Sequence, residues 1–188
     1  MTLFSEESKL LIENWDAVEG ILEAEKQLHV ELSSVLRSVE PELVARDWWQ
    51  AGWAFVLSDE QAYISKHCWQ VEDNYAVWIG IENFSPESIF GMETPPSLYV
   101  WVSGKRNDLA QMLAEKIRKS KSKLLGEIDN RVSGYVVRLA VKKYLPGDLD
   151  HYVQDVKTQV IGFLTHYAEV LSQFDSEIKT YLKPNRRT

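Results

Sequence analysis

The chain has 188 residues, 45% of them hydrophobic and 26% charged, with a formal net charge of −7. That composition supplies apolar surface for one packed core and excludes a disordered polyelectrolyte or a nucleic-acid carrier of overall basic charge. A single cysteine, Cys68, excludes an intrachain disulfide framework; the opening MTLFSEE shows no secretory leader pattern, and no apolar run approaches the roughly 20 residues that span a bilayer, so the expectation is one soluble domain in the reducing cytoplasm, without a membrane partner.

Hydrophobic spacing first predicts a long helix over residues 5–39. Ser5 suits its N-cap, and Glu6 and Glu7 suit the positive end of the helix dipole. The seam steps by three and four through Leu11, Trp15, Val18, Leu22, Leu32, Leu36 and Val39, with Glu25 and His29 interrupting it. Ile21, Leu28 and Val35 make it broader than a strict coiled-coil seam. Pro41 reads as the first position of a short second helix, residues 41–46.

From Trp48 the period shortens to two. Strands are expected at 52–57, 62–69, 75–84 and 98–103, an antiparallel meander with short polar turns. The segment 85–96 holds three prolines and reads as a loop that presents Ile89, Phe90 and Met92. Asn107 or Asp108 caps a helix to about Leu125, with Leu109, Leu113, Ile117 and Leu124 inward. A connector over 126–134, a fifth strand over 135–143 and a last helix over 149–182 follow, ended by Pro184 and the basic Arg186 and Arg187.

The fold class is therefore α+β: a five-stranded, mainly meander antiparallel sheet with long N- and C-terminal helices, in the order α-ββββ-α-β-α. It forms one domain over 1–188, made of a helical segment (1–46), a sheet with one inserted helix (48–143) and a C-terminal helix (148–182). Each terminal helix would span on the order of 50 Å, longer than one compact sheet. The excess length implies an antiparallel pair within the chain or, as the alternative, a symmetric dimer.

The residues offer little catalytic grammar. His67 and Cys68 are adjacent, so on a strand they point to opposite faces and form no thiolate–imidazolium pair; Cys68 reads as a small buried hydrophobe. Metal-ligand spacings such as C-x-x-C and H-E-x-x-H are absent, the pairs Glu25/His29 and His166/Glu169 being ordinary one-turn neighbours, and the isolated glycines form no phosphate cradle. No catalytic residue, metal ligand or cofactor is assigned. Glu82 on the third strand is a solvated residue if its face is open; if covered, it needs a partner, and Arg138 on the fifth strand is the candidate.

The block 78–119, with its Trp78–Phe84 string WIGIENF, resembles a non-catalytic C-terminal region of some bacterial PD-(D/E)XK-superfamily proteins. The resemblance covers under a quarter of the chain. It implies an accessory module, and the strings Asp155-Val156-Lys157 and Glu177-Ile178-Lys179 lie on a helix where residues two apart diverge, so nuclease chemistry does not carry over.

Charge is unevenly placed. Residues 1–50 carry eleven carboxylates against four cations, a net −7, whereas residues 105–147 carry eleven cations against four carboxylates, a net +7. Lys105, Arg106, Lys116, Arg118, Lys119, Lys121 and Lys123, near Tyr99, Trp101 and Tyr135, are candidate contacts for nucleic acid or an acidic partner. The leading expectation is a non-enzymatic interaction or regulatory protein with a protein partner or self-association through its long helices. A nucleic-acid-binding accessory protein is the first alternative; a hydrolase-like enzyme with a site built from scattered residues such as Glu82, His67 and Arg138 is the second.

Overall fold

The computed structural model describes residues 5–50, 52–58, 60–91, 94–103, 106–120, 122–129, 134–145 and 147–183. It is α+β with an antiparallel sheet. The N-terminal segment is three helices, α1 (Glu6–Glu13), α2 (Trp15–Arg37) and α3 (Val39–Val44), in place of the uninterrupted 5–39 helix. Ser5 caps α1 as expected, its hydroxyl accepting the Ser8 N–H. Asn14 leaves helical geometry between α1 and α2, with its side-chain amide donating to the Leu10 carbonyl. Pro41 is the third residue of α3, not the first; anywhere in a first turn its missing N–H forfeits no helical bond.

After a 3₁₀ turn at Asp47–Gln50 come the strands β1 (Trp53–Ser58), β2 (Gln61–Lys66), β3 (Gln70–Val71), β4 (Asn74–Tyr75), β5 (Val77–Glu82), β6 (Ser97–Val102), β7 (Glu127–Ile128) and β8 (Tyr135–Ala140). The main sheet has six strands in the order β1-β2-β5-β6-β8-β7, and each neighbouring pair is antiparallel. The predicted meander is its first four strands. The sixth, β7, comes from the expected connector: Gly126, at φ +96°, lets the backbone lie so close that a Cβ would sit 2.5 Å from the Arg138 carbonyl oxygen.

Three predicted strands are shorter than expected: the third runs only over Val77–Glu82 and the fifth ends at Ala140. The second ends at Lys66 because His67–Trp69 turns as a 3₁₀ helix, and β3 and β4 then form a separate hairpin. Its two-residue turn, Glu72 and Asp73, has positive φ at both positions, the geometry that matches strand twist. The predicted loop 85–96 contains a helix, α4 (Pro86–Phe90), with Ser85 as N-cap and Pro86 at its start. Helix α5 (Asn107–Lys119) stops before Leu125 and leaves Leu124 exposed. Arg106, not Asn107 or Asp108, is its N-cap residue; the Asp108 carboxylate instead accepts the Leu109 N–H. The last helix is two, α6 (Leu149–Ser172) and α7 (Asp175–Leu182), divided at Gln173–Phe174. Pro184, Arg186 and Arg187 lie outside the described residues.

Alternation along the strands sets the core. Val77, Ile79 and Ile81 of β5 and Leu98, Val100 and Val102 of β6 are fully buried, packed against Val156, Val160, Phe163, Leu164 and Tyr167 of α6. Helix α5 lies along β6 and β8, and the end of α2, with α3, packs on β1, β2 and α6. Tyr167 fixes the chain after α5: its hydroxyl donates to the Leu125 carbonyl (2.7 Å) and accepts the Leu125 N–H (3.2 Å).

One charged group is held inside. Lys66, 1% exposed, ends β2 on the core face and donates from Nζ to Asp175 Oδ2 at 2.7 Å. The other carboxylate oxygen accepts the Trp69 indole N–H at 3.1 Å. Trp53 and Trp69 flank the ammonium at 5.1 and 5.5 Å from their ring centres, and Trp48 packs edge-on against Trp53. Asp175 opens α7, where the helix dipole also favours an anion. This cluster therefore ties the end of β2 and its 3₁₀ turn to the last helix.

Asp175→Ala would strand a buried ammonium, and the expected loss of stability is on the order of 3 kcal/mol. Lys66→Met keeps the volume and leaves Asp175 partly open to water, so it should cost less than Asp175→Ala. Urea unfolding of both variants checks the order; equal losses would contradict it.

Candidate functional site

Three surfaces emerge from this scaffold: a helical arm, the aromatic face of the sheet, and a cluster of potential ligands where the two helices α2 and α4 meet. The arm is α1 with the first two-thirds of α2. Its seam is the same stripe that buries Leu32, Leu36 and Val39 against the sheet, continued backward by three- and four-residue steps to Leu22, Val18, Trp15 and Leu11. There the stripe runs past the domain. Leu11 is 46% exposed, Trp15 52% and Leu22 47%, and Leu10, Ile12, Ile21 and Val30 are more exposed still. Among the described residues, seven of the twelve exposed large hydrophobics fall between 10 and 30, which places the apolar surface on the arm and not on the proline-rich loop.

That loop is the reverse of what its composition predicts. Ile89 is 1% exposed beneath the arm's base, Phe90 is exposed but packs edge-on to Tyr144, and Met92 lies outside the described residues. The Ser85-Pro86-Glu87 string is an N-cap signal, and it is what folds Ile89 inward on α4.

On the other sheet face, Tyr63, Trp78 and Trp101 stack in a row across β2, β5 and β6, with ring centres 5.2 and 4.2 Å apart. Gly80 makes room for Tyr99, since a Cβ there would lie 3.0 Å from the Tyr99 hydroxyl and 2.6 Å from the Ala62 carbonyl oxygen. Glu82 is not a solvated strand residue: its side chain is 13% exposed and it is paired, as the covered-face reading requires, with Arg138 at 3.0 Å. Tyr135 donates to its second oxygen at 2.7 Å, Ser97 donates to the first at 2.8 Å, and Arg138 lies 4.5 Å over the Tyr135 ring. The network is closed among its own members. It sets the Ser97 hydroxyl on the Glu82 carboxylate, but His67 lies elsewhere, in the 3₁₀ turn after β2. There its Nδ1 is 3.3 Å from the Tyr75 hydroxyl, before the start of β5, whereas Glu82 is at the end of that strand. The scattered trio Glu82, His67 and Arg138 is therefore not brought together.

The basic segment is dispersed. Lys105 and Lys121 lie outside the described residues. Lys116 is drawn inward to Glu177 of α7 at 2.9 Å and over the Phe174 ring, Lys119 pairs with Glu115 one turn away, and Arg106 is half-buried in a cleft of about 820 Å³ beside Leu109, Tyr181 and Lys183. Arg118 and Lys123 point to solvent. Of the neighbouring aromatics, Tyr99 is 3% exposed, Trp101 is stacked on Trp78 and the Tyr135 hydroxyl is engaged. Cys68 is exposed rather than buried, because the 3₁₀ turn swings it outward while Trp69 takes the inward place.

The third surface is the one the sequence does not show. Glu25 and His29, the two polar interruptions of the α2 stripe, meet Glu87 from α4, and one ligand atom from each lies within 4.8 Å of the others. His29 Nε2 and Glu87 Oε1 are 3.4 Å apart. The Glu87 carboxyl is held below its usual range by its own backbone N–H, then by the Ser85 hydroxyl. Glu25 and His29 are one helical turn apart, so spacing reveals two donors; the third arrives through tertiary folding.

Compared with protein-family models, curated proteins and solved structures, the chain matches none. Among the described residues no helix is long and apolar enough to cross a membrane.

The Glu82 network has a measurable consequence. Burial, then the hydrogen bond to Glu82, pushes the Tyr135 phenol up to about 12 from 10.0. A native group that holds its proton more tightly than the unfolded chain stabilises fully below pH 10 and loses that contribution as pH rises through 12. Tyr135→Phe should therefore flatten the fall of stability between those pH values, and Glu82→Gln should lower the phenol's midpoint in an ultraviolet titration. An unchanged midpoint in Glu82→Gln would contradict the coupling.

Proposed function

We propose that this chain is a non-enzymatic interaction protein whose N-terminal arm docks on a second copy of itself. The observation that carries the reading is the stripe: one apolar seam, interrupted at Glu25 and His29, is buried at Leu32, Leu36 and Val39 and exposed at Leu11, Trp15 and Leu22, with Val18 half-buried between them. Large exposed apolar surface of this continuity marks a contact site. Helix α1, eight residues long, is marginal in water on its own, so it gains order from whatever covers it.

Charge favours a second copy as the occupant. Residues 5–31 hold eight carboxylates and two lysines, a net −6, so two arms side by side repel. The opposite charge lies in segment 105–147 of the same chain, net +7 in sequence, where Arg118, Lys123, Lys142 and Lys143 are exposed. The arm's lysines pair with the arm's own glutamates, Lys9 with Glu6 and Lys26 with Glu23, while the paired cations of α5 use Glu177 and Glu115. An arm laid against the basic side of a partner, with the contact repeated by two-fold symmetry, satisfies both the apolar and the ionic demand twice.

The nucleic-acid reading draws less support. Its aromatic residues are occupied by each other and by Glu82, and Arg138 is neutralised by the same carboxylate.

Light scattering on the full chain across a concentration series tests the proposal. Dimers should form, weaken with added salt, and be lost in Trp15→Glu and in Leu22→Lys, two exposed positions where substitution leaves the fold intact. A monomer at every concentration overturns the reading. Dimers that strengthen with salt would point to apolar arm-to-arm pairing and overturn the arm-to-basic-segment arrangement.

A further inference from the structure

We infer that Glu25, His29 and Glu87 form a binding site for a divalent transition-metal ion of the zinc class, a site independent of the docking proposed above. The donor set is one imidazole and two carboxylates, chemistry that suits Zn²⁺ and its neighbours in the first transition row. The set differs from an ordinary patch of surface acids in two respects. It contains a histidine, and it is assembled from two separate elements, with Glu25 and His29 chelating from successive turns of α2 and Glu87 closing from α4.

Distances fit the ion. A tetrahedral zinc holds nitrogen and oxygen donors at roughly 2.0–2.2 Å, which sets any two of them about 3.4 Å apart. His29 Nε2 and Glu87 Oε1 are already 3.4 Å apart, and the exposed Glu25 carboxylate completes a triangle whose edges stay within 4.8 Å. A small turn of the Glu25 side chain, which no burial restrains, brings its oxygen to the same spacing. Three protein ligands leave a fourth position for water, as in open zinc sites.

The position gives the ion a structural consequence. Glu25 and His29 occupy the two places where the apolar stripe is interrupted, between its covered and uncovered lengths. A bound ion there cross-links the base of the arm to α4, adding a fixed point just where packing against the sheet ends.

Calorimetric titration of the full chain, free of any histidine tag, with zinc chloride tests the assignment, supported by the visible spectrum of the cobalt(II) form. One ion per chain should bind, and cobalt should give the intense absorption of a tetrahedral site. His29→Ala and Glu87→Gln should each weaken binding by at least about tenfold. His151→Ala is the control, because His151 and Asp155 are a comparable helical pair at 3.6 Å that belongs to no three-donor cluster among the described residues; it should leave binding unchanged. All four side chains are at least partly exposed, so the variants fold, and far-ultraviolet circular dichroism confirms it. Absence of binding, or binding that His29→Ala leaves unaltered, overturns the inference, as does equal loss in His151→Ala.

Discussion

The first amphipathic stripe of this chain is longer than the surface available to cover it. Strands of six residues are about 20 Å long, whereas α2 alone runs to about 35 Å and α1 adds about 12 Å of helix before it. The stripe engages the sheet only where α2 approaches its end and passes into α3. Among the described residues, no seam position before Leu28 joins the buried core. Burying each such side chain is worth about 1.5–3 kcal/mol, a gain that goes unrealised until another surface arrives.

The covered part of the molecule explains why the excess is not absorbed internally. Helix α6 already occupies β5 and β6, α5 occupies β6 and β8, and α7 is held at the end of β2 by the Lys66–Asp175 pair. A buried ion pair contributes little net stability over an apolar substitute, but each partner becomes costly once the other is removed. Here it fixes where α7 lies, with Trp69 reading the second carboxylate oxygen. The last helix is divided at Gln173–Phe174, and α7 packs on the 3₁₀ turn that follows β2. Of the pairing expected between the terminal helices within the chain, the main contacts among the described residues are those of α2 and α3 with α6.

Periodicity made the architecture legible where an element was long enough to show a period. The meander, its inward residues Val77, Ile79, Ile81, Leu98, Val100 and Val102 and the stripe of α6 were readable from spacing, whereas the Glu82–Arg138 pair depended on whether its sheet face was covered. Two-residue strands carry no period, so β7 and the β3–β4 hairpin were invisible. Proline content misled over 85–96 because the cap formed by Ser85 and Pro86 outweighs it locally. Cys68 shows how a single turn decides exposure: shifted from strand to 3₁₀ geometry, the inward place passes to Trp69. The arm's seam was fully legible as a seam, but whether it would be covered depended on the reach of the sheet. The Glu25–His29–Glu87 cluster was beyond the sequence, since 58 residues separate its closing ligand from His29.

Amide hydrogen exchange at two protein concentrations tests the central claim most directly. Amides of residues 32–43 should be protected in dilute and concentrated solution alike, because the domain itself covers them. Amides of residues 9–24 should exchange rapidly in dilute solution and become protected as concentration rises. Equal protection of both segments in the dilute monomer, or an arm that stays unprotected in concentrated solution, would contradict the account.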